Sequence, residues 1–249
     1  MSKNMTIPFD FRNRKYLVTG ATSGIGRVTA QLLHAAGAQV VAVGQRQQPL
    51  LDLQAETGCR IVQLDIADSV AVDAALAEVH GLDGLVNCAG IALCESSLAI
   101  EAADFDRVMA VNARAAAIVS RCVARRMIAE GRAGSIVNVS SQASLVALED
   151  HLYYCASKAA LDAITRVMCV ELGPHGIRVN SVNPTVTLTP MAQQAWSDPA
   201  KSVPMLQAIP LRRFALPEEV ALPILFLLSD AASMISGVSL PVDGGYTCR

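Results

Sequence analysis

Short runs rich in β-branched residues recur along this chain at 15–18, 39–43, 60–63, 84–87, 135–139, 178–182 and 238–242. Most are separated by stretches with helical spacing, at 24–36, 70–79, 105–129, 154–172 and 217–228. Strand, helix and strand in repetition is how parallel strands joined by right-handed crossovers read in sequence. The runs lack strict polar/apolar alternation, as strands covered on both faces do. The pattern therefore predicts an α/β fold, a doubly wound (Rossmann-like) parallel sheet of seven strands with helices on both faces. One segment breaks the rhythm: residues 183–216 are too long for an ordinary turn and hold five prolines and the only tryptophan, Trp196. This segment is expected to be a lid on the substrate side.

With 249 residues, 52% hydrophobic and 17% charged, the chain has material for one large core and no stretch that reads as a linker, so a single domain over 1–249 is expected. The net charge of −2 produces no long-range field that would draw in nucleic acid or an anionic membrane, which makes a small molecule the expected partner. Residues 1–14 are polar and interrupted by Pro8, and no apolar run reaches the about eighteen residues of a membrane span; a soluble, cytoplasmic protein is expected. Seven cysteines without a C-x-x-C pair argue for reduced thiols over disulfides or zinc. The four histidines show no close pairing, and no metal is expected.

After the first run comes Thr19-Gly20-Ala21-Thr22-Ser23-Gly24-Ile25-Gly26, which opens the helix at 24–36. Glycines there allow the backbone close to a pyrophosphate, and the free N–H groups of a helix start bind its phosphates. The spacing is G-x-x-x-G-x-G, and such a turn alone is also compatible with a plain structural role. Val43-Gly44-Gln45-Arg46 ends the second run without a carboxylate for the ribose hydroxyls, leaving room for a 2′-phosphate that Arg46 would pair with; Arg46 as a solvated loop residue is the alternative. NADP(H) is favoured over NAD(H). In Asp65-Ile66, Asp65 would accept a hydrogen bond from adenine, while Asp65 or Asp68 would equally cap the helix at 70–79. Asn87-Cys88-Ala89-Gly90 ends the fourth run with small residues on which the cofactor's ribose can lie.

Tyr154 and Lys158 stand at i and i+4 on one predicted helix, which places phenol and ammonium on one face about a turn apart. A free tyrosine titrates near ~10; a nearby cation stabilises phenolate and lets Tyr154 exchange protons as acid or base. Tyr153 points elsewhere around the helix and is assigned to packing. Ser140 and Ser141 follow the fifth run, at the carboxyl end where open α/β sheets bind ligands; Ser141 would steady a substrate oxygen or cap a turn. Asn112 by itself reads as a mid-helix residue of modest propensity.

The glycine turn at 19–26, Asn87-Cys88-Ala89-Gly90, Asn112, Ser141 and Tyr154-x-x-x-Lys158, in this order, resemble the short-chain dehydrogenase/reductase family over essentially the whole chain. The resemblance implies an NAD(P)-dependent oxidoreductase that moves a hydride between nicotinamide and a carbonyl/alcohol pair. It assigns the substrate oxygen to Ser141, the proton to Tyr154, the nicotinamide ribose and a lowered tyrosine pKa to Lys158, and a water in the proton relay to Asn112. Pro184, Val186, Thr187 and Thr189 would meet the carboxamide or phosphates. Two departures stand out: Cys88 replaces the family's usual second Asn, and Pro184-Thr185 replaces Pro-Gly.

Within the family, the runs 138–142, 183–186, 196–199 and 240–245 are most similar to reductases of ketoses and α-dicarbonyls. Gln142 and His151 would then bind substrate hydroxyls and Trp196 would cover them, with plain packing as the alternative for the tryptophan. A reductase of 3-oxoacyl groups on acyl-carrier protein is the competing reading, with Arg121, Arg125, Arg126 and Arg132 as its candidate docking surface. A non-catalytic NADP(H)-binding sensor is a third, and a serine hydrolase lacks its G-x-S-x-G elbow. The resemblance also implies a homotetramer in which the long helices near 105–130 and 152–172 pair across a two-fold axis.

Overall fold

The computed structural model describes residues 9–248; residues 1–8 of the polar N-terminal stretch lie outside it. In chain order the elements are β1 (Lys15–Thr19), α1 (Gly24–Ala35), β2 (Gln39–Gly44), α2 (Gln47–Thr57), β3 (Arg60–Gln63), α3 (Ser69–Ala77), β4 (Gly84–Asn87) and α4 (Ala102–Met109). There follow α5 (Ala115–Ala129), β5 (Gly134–Val139), α6 (Leu152–Leu172), β6 (Ile177–Pro184), α7 (Pro190–Ala195), α8 (Pro199–Ala208), α9 (Pro217–Leu228) and β7 (Ser239–Val242). The seven strands form one sheet in the order β3-β2-β1-β4-β5-β6-β7, and every pairing is parallel. The chain winds outward from β1 to β3 and then crosses back to β4. Beyond the carboxyl ends of β1 and β4, this reversal leaves the crevice in which open α/β sheets hold ligands.

Alternate strand residues serve opposite faces, and both faces are apolar. Tyr16, Val18, Val40 and Val137 pack against Leu32 and Leu33 of α1 and Val220, Ile224 and Leu225 of α9. Leu17, Val41, Leu85 and Ile136 pack against Val72 and Leu76 of α3 and Val119, Val123 and Met127 of α5. Each buried aliphatic side chain contributes about 1.5–3 kcal/mol, so both layers clamp the strands whose ends carry the site. Two buried faces are the physical reason for the missing polar alternation.

The structure departs from the sequence reading in three places. The predicted helix at 105–129 begins earlier, at Ala102, and is widened by a π turn at Ala110–Arg114 between α4 and α5. A helix between β2 and β3 carries only Leu50 and Leu53 as buried residues, a stripe too sparse to announce it, and ends at Gly58 with φ +67°. The segment expected to be a lid holds two helices, each started by proline and a side-chain cap: Thr189 for α7 and Asp198 for α8. Among the described residues no helix is long and apolar enough to cross a membrane.

Candidate active site

β1 ends at Thr19 and the chain turns through Gly20 at φ +68° and Gly24 at φ +53°, conformations that glycine adopts without strain. A Cβ on Gly20 would stand 2.7 Å from the Ala89 nitrogen, one on Gly26 2.4 Å from the Gly20 carbonyl oxygen, and one on Gly24 2.8 Å from Thr189 Cγ2. The turn is thus drawn against the end of β4 and the N-cap of α7. Thr19 Oγ1 fastens it there, accepting the N–H groups of Cys88 at 3.1 Å and Ala89 at 3.3 Å. The side chain of Ser23 at the α1 N-cap makes no cap hydrogen bond, and the first turn holds no acidic residue. Thr22, Ser23 and Ile25 stand at a helix start where the Gly26 N–H meets the Cys88 sulfur and the positive dipole end suits an anion such as a pyrophosphate.

Around this turn the other cofactor candidates divide. Arg46 is exposed and its Nη2 donates to Thr22 Oγ1 at a long 3.5 Å, which brings a guanidinium to the edge of the glycine turn. A Cβ on Gly44 would stand 2.4 Å from Thr22 Cγ2, and Gln45 is tied by its carbonyl oxygen, which accepts from Gln63 Nε2 at 3.0 Å. Asp68, whose side chain accepts from Val70 and Ala71, takes the cap of α3. The carboxylate of exposed Asp65 accepts the Ala67 N–H at 2.9 Å, beside buried Ile66. The Asn87 Nδ2 is spent inside the fold, donating to Ser120 Oγ and Asn138 Oδ1 at 2.8 Å each, while its buried Oδ1 has no hydrogen-bond partner.

Lys158 Nζ lies 5.6 Å from the centroid of the Tyr154 ring and donates to the Val139 carbonyl at 2.8 Å, leaving two ammonium protons for a ligand. Burial pushes the Lys158 amine down to about 8, opposed by Cys88 and Asp162. Burial also raises the Tyr154 phenol above its ordinary value, opposed by a hydrogen bond with Ser141. The expected lowering by Lys158 is therefore not what the protein alone produces: the ammonium faces the ring and Val139, and desolvation dominates at the phenol oxygen. Cys88, beside Lys158, is a neutral thiol, pushed up to about 12 by burial. Tyr153 packs as expected; it is buried edge-on to Phe105 at 6.1 Å, and its hydroxyl accepts the Glu101 N–H at 2.7 Å.

Ser141 caps a short 3-10 turn, Gln142–Ser144, its Oγ accepting the Ala143 N–H at 3.1 Å. Capping and facing Tyr154 are compatible, because the hydroxyl proton stays available. Asn112 sits in the π turn; its Oδ1 accepts the Ile91 N–H at 2.8 Å, and its Nδ2 donates to the Ile91 carbonyl at 2.8 Å and Ser157 Oγ at 3.0 Å. Both amide protons are thus committed to tying the loop after β4 to α6, and the widened turn accommodates that clamp inside a helix. A Cβ on Gly90 would stand 3.3 Å from Asn112 Oδ1 and 3.5 Å from Lys158 Nζ.

The substrate candidates show unequal freedom. Gln142 is buried and its Oε1 has no hydrogen-bond partner. His151 Nδ1 donates to the Glu149 carbonyl at 2.6 Å, its Nε2 lies 3.3 Å from Cys94 Sγ, and the ring meets Tyr154 edge-on at 6.4 Å. Trp196 is half-buried just after α7 against Phe214, with ring centroids 6.0 Å apart. Past Pro184, the chain is bridged at Thr187 to Ala215, and the Ala215 N–H donates to the Val186 carbonyl at 3.0 Å. The arginines offered as a carrier-protein surface are largely engaged: Arg121 with Asp73, Arg126 with the Ala77 carbonyl, and Arg132 with Asp83 at 2.7 Å. Sequence reasoning missed Ser144, Ser157, Asp162 and Asn183 around the site. Only Asp162 carried a signal, four residues beyond Lys158 on the same helical stripe.

A glycine turn opening a helix beyond β1 and a buried phenol and ammonium on α6 form a layout that suits a dinucleotide-dependent oxidoreductase. A family profile described as Enoyl-(Acyl carrier protein) reductase matches residues 20–247. The L-xylulose reductase of Bos taurus is 53% identical over 94% of this chain and 96% of that protein. Carbonyl reductase [NADPH] 2 of Sus scrofa is 45% identical over 95% and 98%. A solved short chain dehydrogenase/reductase family protein superposes with a TM-score of 0.90 and 38% identity, covering 97% of this chain and all of that one. The chain belongs to the short-chain dehydrogenase/reductase family and is an oxidoreductase that acts on CH–OH groups.

Proposed function

We propose that this protein is an NADPH-dependent reductase of a ketose such as L-xylulose or of α-dicarbonyls. The observation that carries the reading is the Tyr154–Ser141–Lys158 group beside the glycine turn. Burial keeps the phenol protonated, the state that a general acid for carbonyl reduction needs. When bound, the nicotinamide supplies the hydride. Tyr154 gives its proton to the oxygen that becomes the alcohol, and Ser141 turns its free hydroxyl proton to the same oxygen. Lys158 directs two protons at the ribose, and Asn112 holds the loop after β4 against α6. The glycine turn, with the backbone of Asn87, Ala89 and Gly90 and the 184–189 segment, holds the nucleotide. Arg46 at its edge and the absence of a carboxylate at 44–46 favour NADP(H) over NAD(H).

A polyhydroxy substrate fits Gln142: a buried acceptor without a partner is costly, and a substrate hydroxyl would satisfy it. The engaged arginines speak against the acyl-carrier reading. Purified protein incubated with NADPH or NADH and L-xylulose, diacetyl or an acetoacetyl thioester tests both. Fast NADPH loss with the first two supports the proposal; loss confined to the thioester overturns it. We also propose a homotetramer and a cytoplasmic location. Val167 and Val170, 56% and 76% exposed on α6, support the first, and seven free cysteines support the second.

A further inference from the structure

One turn beyond Lys158, α6 carries a buried carboxylate that none of these roles uses. Asp162 is 3% exposed, and a charge so far from water persists only where hydrogen bonds replace hydration. Ser144 Oγ donates to its Oδ2 at 2.6 Å, Asn183 Nδ2 donates to the same oxygen at 2.8 Å, and Ser181 Oγ donates to Oδ1 at 3.0 Å. Among the described residues no Lys, Arg or His forms an ion pair with it. Its hydrogen bonds come from neutral donors of the 3-10 turn and β6, and the Lys158 ammonium one turn away feels it at longer range.

Two of those donors also hold the catalytic serine. Ser144 Oγ lies 2.7 Å from the Ser141 carbonyl oxygen, and Asn183 Nδ2 lies 3.2 Å from that oxygen and 2.8 Å from Ser144 Oγ. Asn183 has two amide protons for three acceptors and Ser144 one proton for two, so the strongest acceptor, the carboxylate, decides how the protons are shared. Neutralising it would leave three donors without their charged partner and release the turn that carries Ser141.

We propose that Asp162 is a positioning residue for the active site, holding the Ser141 backbone through Ser144 and Asn183 so that the Ser141 hydroxyl meets the substrate oxygen. The inference rests on the role of Ser141 in the proposed reduction. Displacing a catalytic group by an ångström costs up to about a hundredfold in rate.

The test is a double-mutant cycle read by single-turnover reduction of diacetyl, with enzyme in excess over NADPH, in the wild type, Asp162→Asn, Ser141→Ala and the double variant. Asp162→Asn is expected to lower the rate about tenfold or more while the NADPH Kd, read by nucleotide fluorescence at about pH 6.5, where Lys158 stays charged without this neighbour, stays within about twofold. In the Ser141→Ala background the same substitution should change the rate by less than about twofold, because the group it positions is gone. An equal loss in both backgrounds, or no loss in either, overturns the inference and leaves the serine's role standing. An unchanged Ser141→Ala rate removes that role and the inference with it. Should Asp162→Asn not fold, Ser144→Ala goes through the same cycle, with the same outcomes read the same way.

Discussion

Tyr154 and Lys158 show how burial sets the chemistry of single residues. With the phenol held protonated, Tyr154→Phe removes the transferable proton and almost no volume. The expected result is a loss in turnover of about 10²–10⁴-fold with NADPH affinity unchanged in a fluorescence titration; unaltered turnover would refute the acid assignment. Lys158, pushed down to about 8, is charged below that pH and neutral above it. NADPH affinity of the free enzyme should therefore be highest below pH 8 and decline above it, approaching about tenfold per pH unit. Lys158→Met should bind weakly at every pH, without the inflection. Tyr154 cannot produce that inflection, because its phenol titrates above the ordinary tyrosine value. Binding measured by calorimetry across the range decides.

Two glycines separate constraint from convenience at the level of elements. Gly26, in the first turn of α1, faces the Gly20 carbonyl, and a backbone atom 2.4 Å from a new Cβ cannot step aside. Gly26→Ala should leave helix content by circular dichroism intact and weaken NADPH binding about tenfold or more, since it pushes apart the peptides meant for the phosphates. Gly173 follows α6 with φ −53°, and a Cβ added to it would meet nothing within 4 Å among the described residues. Gly173→Ala should bind nucleotide normally and raise stability by about 0.4–1 kcal/mol in a denaturant melt, by restricting the unfolded chain. The strands and the two ends of α9 were legible because apolar runs and turn residues mark them. The π turn was not, because Ala110–Arg114 has ordinary helical composition and is shaped by the tie from Asn112 to Ile91 and Ser157.

For the whole molecule, the proposed tetramer has a direct test. Val167 and Val170 stand three residues apart on the outer side of α6, and Met234 is 97% exposed near β7. Light scattering after size-exclusion chromatography should give four times the chain mass of 26.2 kDa. Val170→Glu should shift the protein to smaller species by placing charge in an apolar contact. A wild-type monomer would refute the tetramer.

What the sequence determined by itself is everything encoded at short range: strands and helices in alternation, glycines where the backbone must turn tightly, and phenol, ammonium and Asp162 at four-residue steps of one helix. Spacing along a helix or strand is set by fixed backbone geometry, so it can be read without knowing the fold. Only the tertiary structure decided that Ser144 and Asn183 converge on Asp162 and that Arg121 and Arg126 of α5 are occupied. Those contacts join elements tens of residues apart, and it is the crossovers and sheet register that bring them within hydrogen-bonding distance.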